Sequence, residues 1–409
     1  MTPSAPTGLT PRRELLLLLT LAGIQFTNVL DFMIIMPLGP QFIHLFGISS
    51  AQFGVLVSAY TFAAGASGLL AATYIDRLDR KTLLLVLYGG FALSTLACAL
   101  APTYGTLLGA RVAAGLFGGV LMALAQTIVG DVIPFERRGR AMGVVMSAFS
   151  ASTVAGIPLG LWIANRWSWH MPFVAIAVLS ALLIVFAALT LPPLRGHLDG
   201  GSVRGGGFAQ RLASVLGHAG ARRAMMFTAL NNFAGFTVIP FITVYLTANA
   251  RLAPDVIPLV YLVGGAATLL SARLIGRSSD QYGKVPTYSV LAVGMAVPLM
   301  ATTLITPAWP LAAVLVVTTL FFTLVSGRMI PAMAILTAAT APAVRGTFMT
   351  LNSAVQSAAM GAASFVAGLI VTQDSQGLLH NYPASALLGI LSSLGALLLA
   401  RRLTLHTSD

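Results

Sequence analysis

Asp31 lies in the run NVLDFMIIMPLGP (28–40), inside an apolar stretch long enough to cross a bilayer. A carboxylate at that depth costs about 2.5–3.5 kcal/mol on insertion scales, so its presence points to a task. Gln25, Asn28 and Asp31 recur every three residues. They form a polar stripe within about 120° of one helix face. A stripe facing lipid would be costly, which turns it toward a central cavity. Further along, Arg111, Gly115, Met122 and Gln126 share a face of another apolar segment. At 1.5 Å per residue, Asp31 and Arg111 come out roughly 12 and 9 Å below the same surface, so the two can meet. Burial and a neighbouring guanidinium act in opposite senses on a carboxyl group. Asp31 could therefore be protonated facing one compartment and ionised facing the other, which is the chemistry of proton coupling. The bland alternative is a structural ion pair, with Arg111 orienting its helix through backbone carbonyls.

The later part of the chain supplies hydrogen-bonding groups and one fixed cation at similar depth: Asn231, Asn232, Asn352, Gln356 and Arg328. Arg328 reads either as a contact for an anionic substrate or as an interhelical lock. Phe32, Tyr60, Phe233, Phe236 and Tyr261 could stack on an organic substrate or simply pack. The substrate cavity is thus expected to draw on Gln25, Asn28, Phe32, Gln126, Asn231, Asn232, Phe236, Arg328, Asn352 and Gln356.

These residues need elements to hold them. The chain has 409 residues, 57% hydrophobic and 8% charged, with a mean hydropathy of +0.89. A soluble domain carries about 25% charge, so this is a polytopic membrane protein. Apolar runs broken by Pro, Gly or charge give twelve segments: 14–39, 51–75, 82–101, 105–130, 140–164, 170–191, 222–247, 256–276, 285–305, 310–338, 346–371 and 382–400. The first is not a cleaved signal, because no small-residue cleavage site follows and the apolar run continues past Asp31. The net charge of +12 invites a nucleic-acid reading. Placement argues otherwise: Arg and Lys concentrate at both termini and in loops after even-numbered segments, so the excess is a topology signal with both termini cytoplasmic. Cys98 is alone, which excludes an intramolecular disulfide. No metal-ligand cluster, phosphate-binding glycine loop or nucleophile–base set is present, so no metal, cofactor or enzymatic activity is expected.

The segments fall into two halves, 1–191 and 222–409, joined by a cytoplasmic linker at 192–221. The linker's middle is Gly-rich and flexible. Phe208, Leu212, Val215 and Leu216 mark an amphipathic helix near its end. The halves echo each other at a spacing of about 205 residues: YIDRLDRK against GRSSDQYGK, Pro37 against Pro240, and Gly139 against Gly346. Parallel six-helix repeats make a transporter with its site between the halves.

AATYIDRLDRK (71–81) is similar to the loop signature of the major facilitator superfamily, with Asp76, Arg77, Arg80 and Lys81 matching. The second copy keeps Gly276, Asp280, Gly283 and Lys284. ARVAAG (110–115) resembles the family's fourth-helix element. AGIPLG (155–160), with Gly156, Pro158 and Gly160, resembles the fifth-helix element of antiporters, although Ile157 splits the usual Gly-Pro. LDFMIIMPLGP resembles helix one of twelve-helix drug:proton antiporters. The resemblance implies an all-α membrane fold of two pseudo-symmetric six-helix bundles, a conformational latch, and alternating access. The latch would comprise Asp76, Arg77, Arg80, Asp131, Asp280 and Lys284. Such contacts, holding only while the cytoplasmic side is closed, would bias one state by about 1–3 kcal/mol. The expected function is export of a small organic compound by proton antiport in a bacterial inner membrane, by a monomer. An importer or facilitator of an organic anion or sugar is the alternative, and a lipid transporter a weaker one.

Overall fold

A computed structural model describes residues 11–191, 193–194, 208–340 and 345–403. Among them, twelve helical spans are long and apolar enough to cross a membrane. In order they are Arg12–Ile34, Ser50–Ala71, Arg80–Ala99, Tyr104–Val132, Arg137–Arg166 and His170–Thr190, then Ala219–Ala248, Pro254–Tyr282, Lys284–Thr302, Leu311–Ala338, Thr347–Ile370 and Tyr382–Ala400. They form two six-helix bundles, as expected.

Local chemistry starts and interrupts these helices. Ser49 with Gln52, and Thr103 with Thr106, form reciprocal capping boxes at the second and fourth spans. The first span breaks into turns at residues 35–38 and resumes as Gly39–Phe46, around Pro37. The seventh breaks after Phe236 and passes through a tight turn of helix at Ile239–Phe241, around Pro240. Proline lacks the N–H that an unbroken helix needs, so the paired breaks follow from paired prolines.

Two boundaries differ from expectation. The eighth span runs to Tyr282 rather than 276, and Gly283, at φ +94°, turns the chain directly into the helix at Lys284. Arg277 and Asp280 therefore sit on helical turns, not in a loop. The seventh span begins at Ala219, inside the expected linker. The amphipathic helix of the linker, Phe208–Gly217, is present; Val215 packs into the second bundle's core while Leu216 is exposed. Residues 195–207 of the linker lie outside the described residues.

The apolar cores show how the bundles meet. At the end away from the termini, one core draws on both halves, joining Phe42, Phe53 and Trp169 to Phe241, Leu246 and Tyr382. At the terminus-bearing end the halves keep separate cores, one around Tyr88, Leu124 and Val145, the other around Phe227, Tyr288 and Phe348. The bundles thus share one core at the distal end and keep separate ones at the other, where Leu69 of the second span still packs against the second bundle.

Small residues make that contact possible, because lipid offers no hydrophobic drive between helices and close packing must supply the attraction. A Cβ on Gly54 of the second span would stand 2.7 Å from the Ser364 carbonyl oxygen and 3.0 Å from Gly368 Cα of the eleventh. Gly265 of the eighth span lies as closely against Val154, where a Cβ would be 3.0 Å from its Cα.

Replacing Gly54 with Val should therefore force the second and eleventh spans apart. The expected cost is about 1–3 kcal/mol, read as a lowered thermal midpoint in detergent. Gly109→Ala, where an added Cβ meets nothing within 4 Å, should leave the midpoint unchanged or raised.

Candidate functional site

Asp31 and Arg111 meet inside the first bundle. Arg111 Nη1 donates to Asp31 Oδ2 at 2.8 Å and to the Asp31 carbonyl at 3.2 Å, and both side chains are fully buried. Thr95 of the third span donates to Asp31 Oδ1 at 3.1 Å. The Tyr60 ring of the second span lies beneath the guanidinium, its centroid 4.5 Å from Arg111 Cζ. Four spans thus converge on one charge pair. Arg111 Nε and Nη2 lack a hydrogen-bond partner, so the pair holds a donor surplus.

The stripe continues along the same helix face. Asn28 Nδ2 donates to the Gly118 carbonyl at 2.9 Å, and Gln25 Nε2 to the Leu121 carbonyl at 3.4 Å. Tyr60 closes the arrangement by donating to Asn28 Oδ1 at 3.4 Å. Gly118 permits this approach, since a Cβ there would stand 2.6 Å from the Tyr60 hydroxyl.

The expectation that Gln25, Asn28 and Asp31 face a central cavity is therefore corrected: all three turn inward to the third and fourth spans. A polar stripe in lipid needs partners, and backbone carbonyls of the fourth span provide them inside the bundle. The cavity face of the first span is instead Met33, Met36 and Pro37.

That cavity lies between the halves. The fifth span contributes Phe149, Thr153 and Ile157; the seventh, eighth and tenth contribute Ile239, Tyr261, Thr268 and Phe322. No charged side chain lines it. Sequence reasoning missed these residues, apart from Tyr261, because apolar residues on a spanning helix carry no signal that separates cavity from lipid. Thr153 sits in a π-helical turn, Ser152–Gly156, just before Pro158. The fifth-helix element packs on the first span: Cβ atoms on Gly156 and Gly160 would meet Leu30 at 3.0 Å and Ile34 at 2.8 Å.

Two aromatic residues connect pair and interface. Phe32 stacks on Tyr60 at 5.3 Å and on Phe236 of the second bundle at 6.2 Å. The second bundle's polar residues cluster separately: Asn231, Asn232, Asn352 and Gln356 line one small pocket. Arg328 is buried behind it and donates to the Asn231 carbonyl at 2.6 Å and to Ser393 Oγ at 3.3 Å. Gln126 lines a different cleft, between the second, fourth and eleventh spans.

Of the latch residues, Arg80 Nε pairs with Asp131 Oδ2 at 3.1 Å and Arg80 Nη1 donates to the Ile75 carbonyl. Lys81 Nζ caps the sixth span by donating to the Ala188 and Leu191 carbonyls at 2.8 and 2.5 Å. All these partners belong to the first bundle, so the contacts tie neighbouring spans within it and do not bridge the halves. Arg77 and Asp280 are exposed, Lys284 is half-buried, and the side chain of Asp76 lies outside the described residues.

Residues 21–364 match the family model described as the Major Facilitator Superfamily. The chain is 25% identical over 353 residues to an uncharacterised MFS-type transporter, YceJ, of Bacillus subtilis, covering 85% of this chain and 87% of that one. It is 28% identical over 235 residues to a chloramphenicol resistance protein of Streptomyces lividans, with 58% and 59% covered. The crystal structure of a D-xylose-proton symporter superposes with a TM-score of 0.76 at 17% identity, covering 95% of this chain and 97% of that one.

Removing one member of a buried pair strands the other. Arg111→Ala should cost about 3–5 kcal/mol, measured by denaturation in detergent. The double variant Asp31→Asn, Arg111→Gln should cost less than the two single changes combined.

Proposed function

The chain belongs to the Major Facilitator Superfamily, whose members are transporters of small molecules, and we propose that it exports small, largely apolar organic compounds in exchange for protons. The observation that carries this reading is the Asp31–Arg111 pair, a desolvated carboxylate tied through Tyr60 and Phe32 to the interface between the bundles.

The concentration of Arg and Lys at one end supports cytoplasmic termini in a bacterial inner membrane. The terminus-bearing end then faces the cytoplasm, and substrate enters the cavity from that side. In this arrangement Asp31 is ionised and holds Arg111. A proton arriving from the opposite side neutralises Asp31, and Arg111 loses its counter-ion. The guanidinium then rests on the Tyr60 ring, an interaction of about 2 kcal/mol when desolvated. Any shift of Tyr60 passes to Phe32 and to Phe236 across the interface. Proton and substrate need not share ligands: each favours a different packing of the same aromatic contact, and exchange follows. The membrane potential adds about 2.3 kcal/mol per charge per 100 mV.

Likeness to a chloramphenicol resistance protein supports efflux of organic compounds. A sugar suits the cavity poorly, since its walls offer few hydrogen-bonding groups. In this reading Arg80–Asp131 and Lys81 hold the cytoplasmic end of the first bundle rigid as it rocks, and the protein works as a monomer.

Proteoliposomes with a pH gradient should show compound-dependent loss of the gradient with wild type. Asp31→Asn should exchange compound without moving protons. Transport by wild type with no proton movement would replace antiport with facilitated exchange.

A further inference from the structure

The second bundle holds a cation without a counter-ion. Arg328 is 1% exposed, and its guanidinium reaches only the Asn231 carbonyl and Ser393 Oγ, leaving Nε without a partner. The described carboxylates of this half, Asp255, Asp280 and Asp374, lie at helix ends or in the distal hairpin. The first bundle answers its buried Arg111 with Asp31; here Gly235 and Ala234 occupy the matching stretch. An uncompensated charge in lipid is costly, and chains that retain one generally use it.

Beside Arg328 lies the small amide pocket, which takes a head group rather than a whole ligand. Asn231 joins the two, since its carbonyl takes the guanidinium while its side chain lines the pocket. Asn231 Nδ2 already donates to Met329 Sδ at 3.1 Å and Asn232 Nδ2 to the Thr228 carbonyl at 2.9 Å, so the donors left for a ligand are those of Asn352 and Gln356. Asn352 Oδ1 is occupied by Thr228 Oγ1 at 2.6 Å, and Asn231 Oδ1 by Tyr288 at 3.0 Å. The Asn352 amide hydrogens and the whole Gln356 amide have no described partner. Met333, half exposed, stands at the rim. Ser326 of the apolar cavity and Met329 of this pocket are about one helical turn apart on the tenth span.

We infer that the amide pocket beside Arg328 binds the carboxylate, or another anionic oxygen group, of an amphiphilic substrate whose apolar body occupies the neighbouring cavity. The donors are amide hydrogens, the positive field comes from Arg328, and no acidic side chain opposes it. The inference rests on the transport reading above for its biological sense, but binding itself needs neither a gradient nor Asp31.

Naphthoate, naphthamide and naphthylmethylamine share one apolar body and differ only in the head group. With purified protein in detergent, naphthoate should bind about tenfold more tightly than the amine, the size of one charge-assisted contact. Arg328→Gln should abolish that preference. Because this change could also disturb folding, Asn352→Leu and Gln356→Leu serve as second variants, and each should weaken naphthoate several-fold more than the amine. Equal binding of acid and amine, no binding of naphthoate, or pocket variants with unchanged affinities would overturn the inference. Naphthoate binding retained without proton exchange in vesicles would sink the antiport reading alone.

Discussion

Two opposite charges 2.8 Å apart, both fully buried, set the conditions for the first bundle. Moving them out of water is expensive, and their attraction offsets the cost only with good geometry and further hydrogen bonds. The bundle meets that demand by bringing four spans together: Thr95 on one carboxylate oxygen, Tyr60 under the guanidinium, and Asn28 on the Gly118 carbonyl. Close approach of the second and fourth spans is part of the same solution. A Cβ on Gly115 would lie 2.3 Å from the Tyr60 carbonyl, so the ring could not sit where it does if residue 115 were larger.

That pair lies outside the interbundle cavity yet is connected to it. The cavity wall is apolar, and the charges stand behind it, linked to Phe236 of the second bundle through Phe32 and Tyr60. A polar pair that needs isolation and a cavity proposed to admit substrate are thus kept apart, with stacked rings as the link. The same logic explains the latch residues. Arg80–Asp131 and Lys81 tie the first bundle together within itself, which suits a body that moves as a unit between two arrangements.

The halves are alike in backbone and unlike in charge. Paired prolines break the first and seventh spans, and in each half a buried tyrosine, Tyr88 or Tyr288, hydrogen-bonds to that span, at Thr27 and Asn231 respectively. The carboxylate is present only in the first half, whereas the second holds a bare cation among amides. Repetition accounts for the frame, and departures from it mark where chemistry differs.

Much of this was legible from residue order. Twelve spans, the two-fold repeat with Pro37 matching Pro240, and the singular status of Asp31 follow from hydropathy and spacing, because a bilayer penalises every unpaired polar group and leaves few solutions. The amino-acid order also brought Asp31 and Arg111 to one depth. It did not say which way the stripe of Gln25, Asn28 and Asp31 turns. Sequence periodicity defines a face of a helix, but whether that face meets a cavity or a neighbour depends on rotation about the helix axis. Carbonyls and small residues of the other spans set that rotation. The apolar cavity was hidden for a related reason: Met33, Ile157 and Phe322 look like lipid-facing residues until two bundles are packed around them. Composition and order determined that the chain spans the membrane and carries one buried acid; only tertiary packing decided what that acid touches.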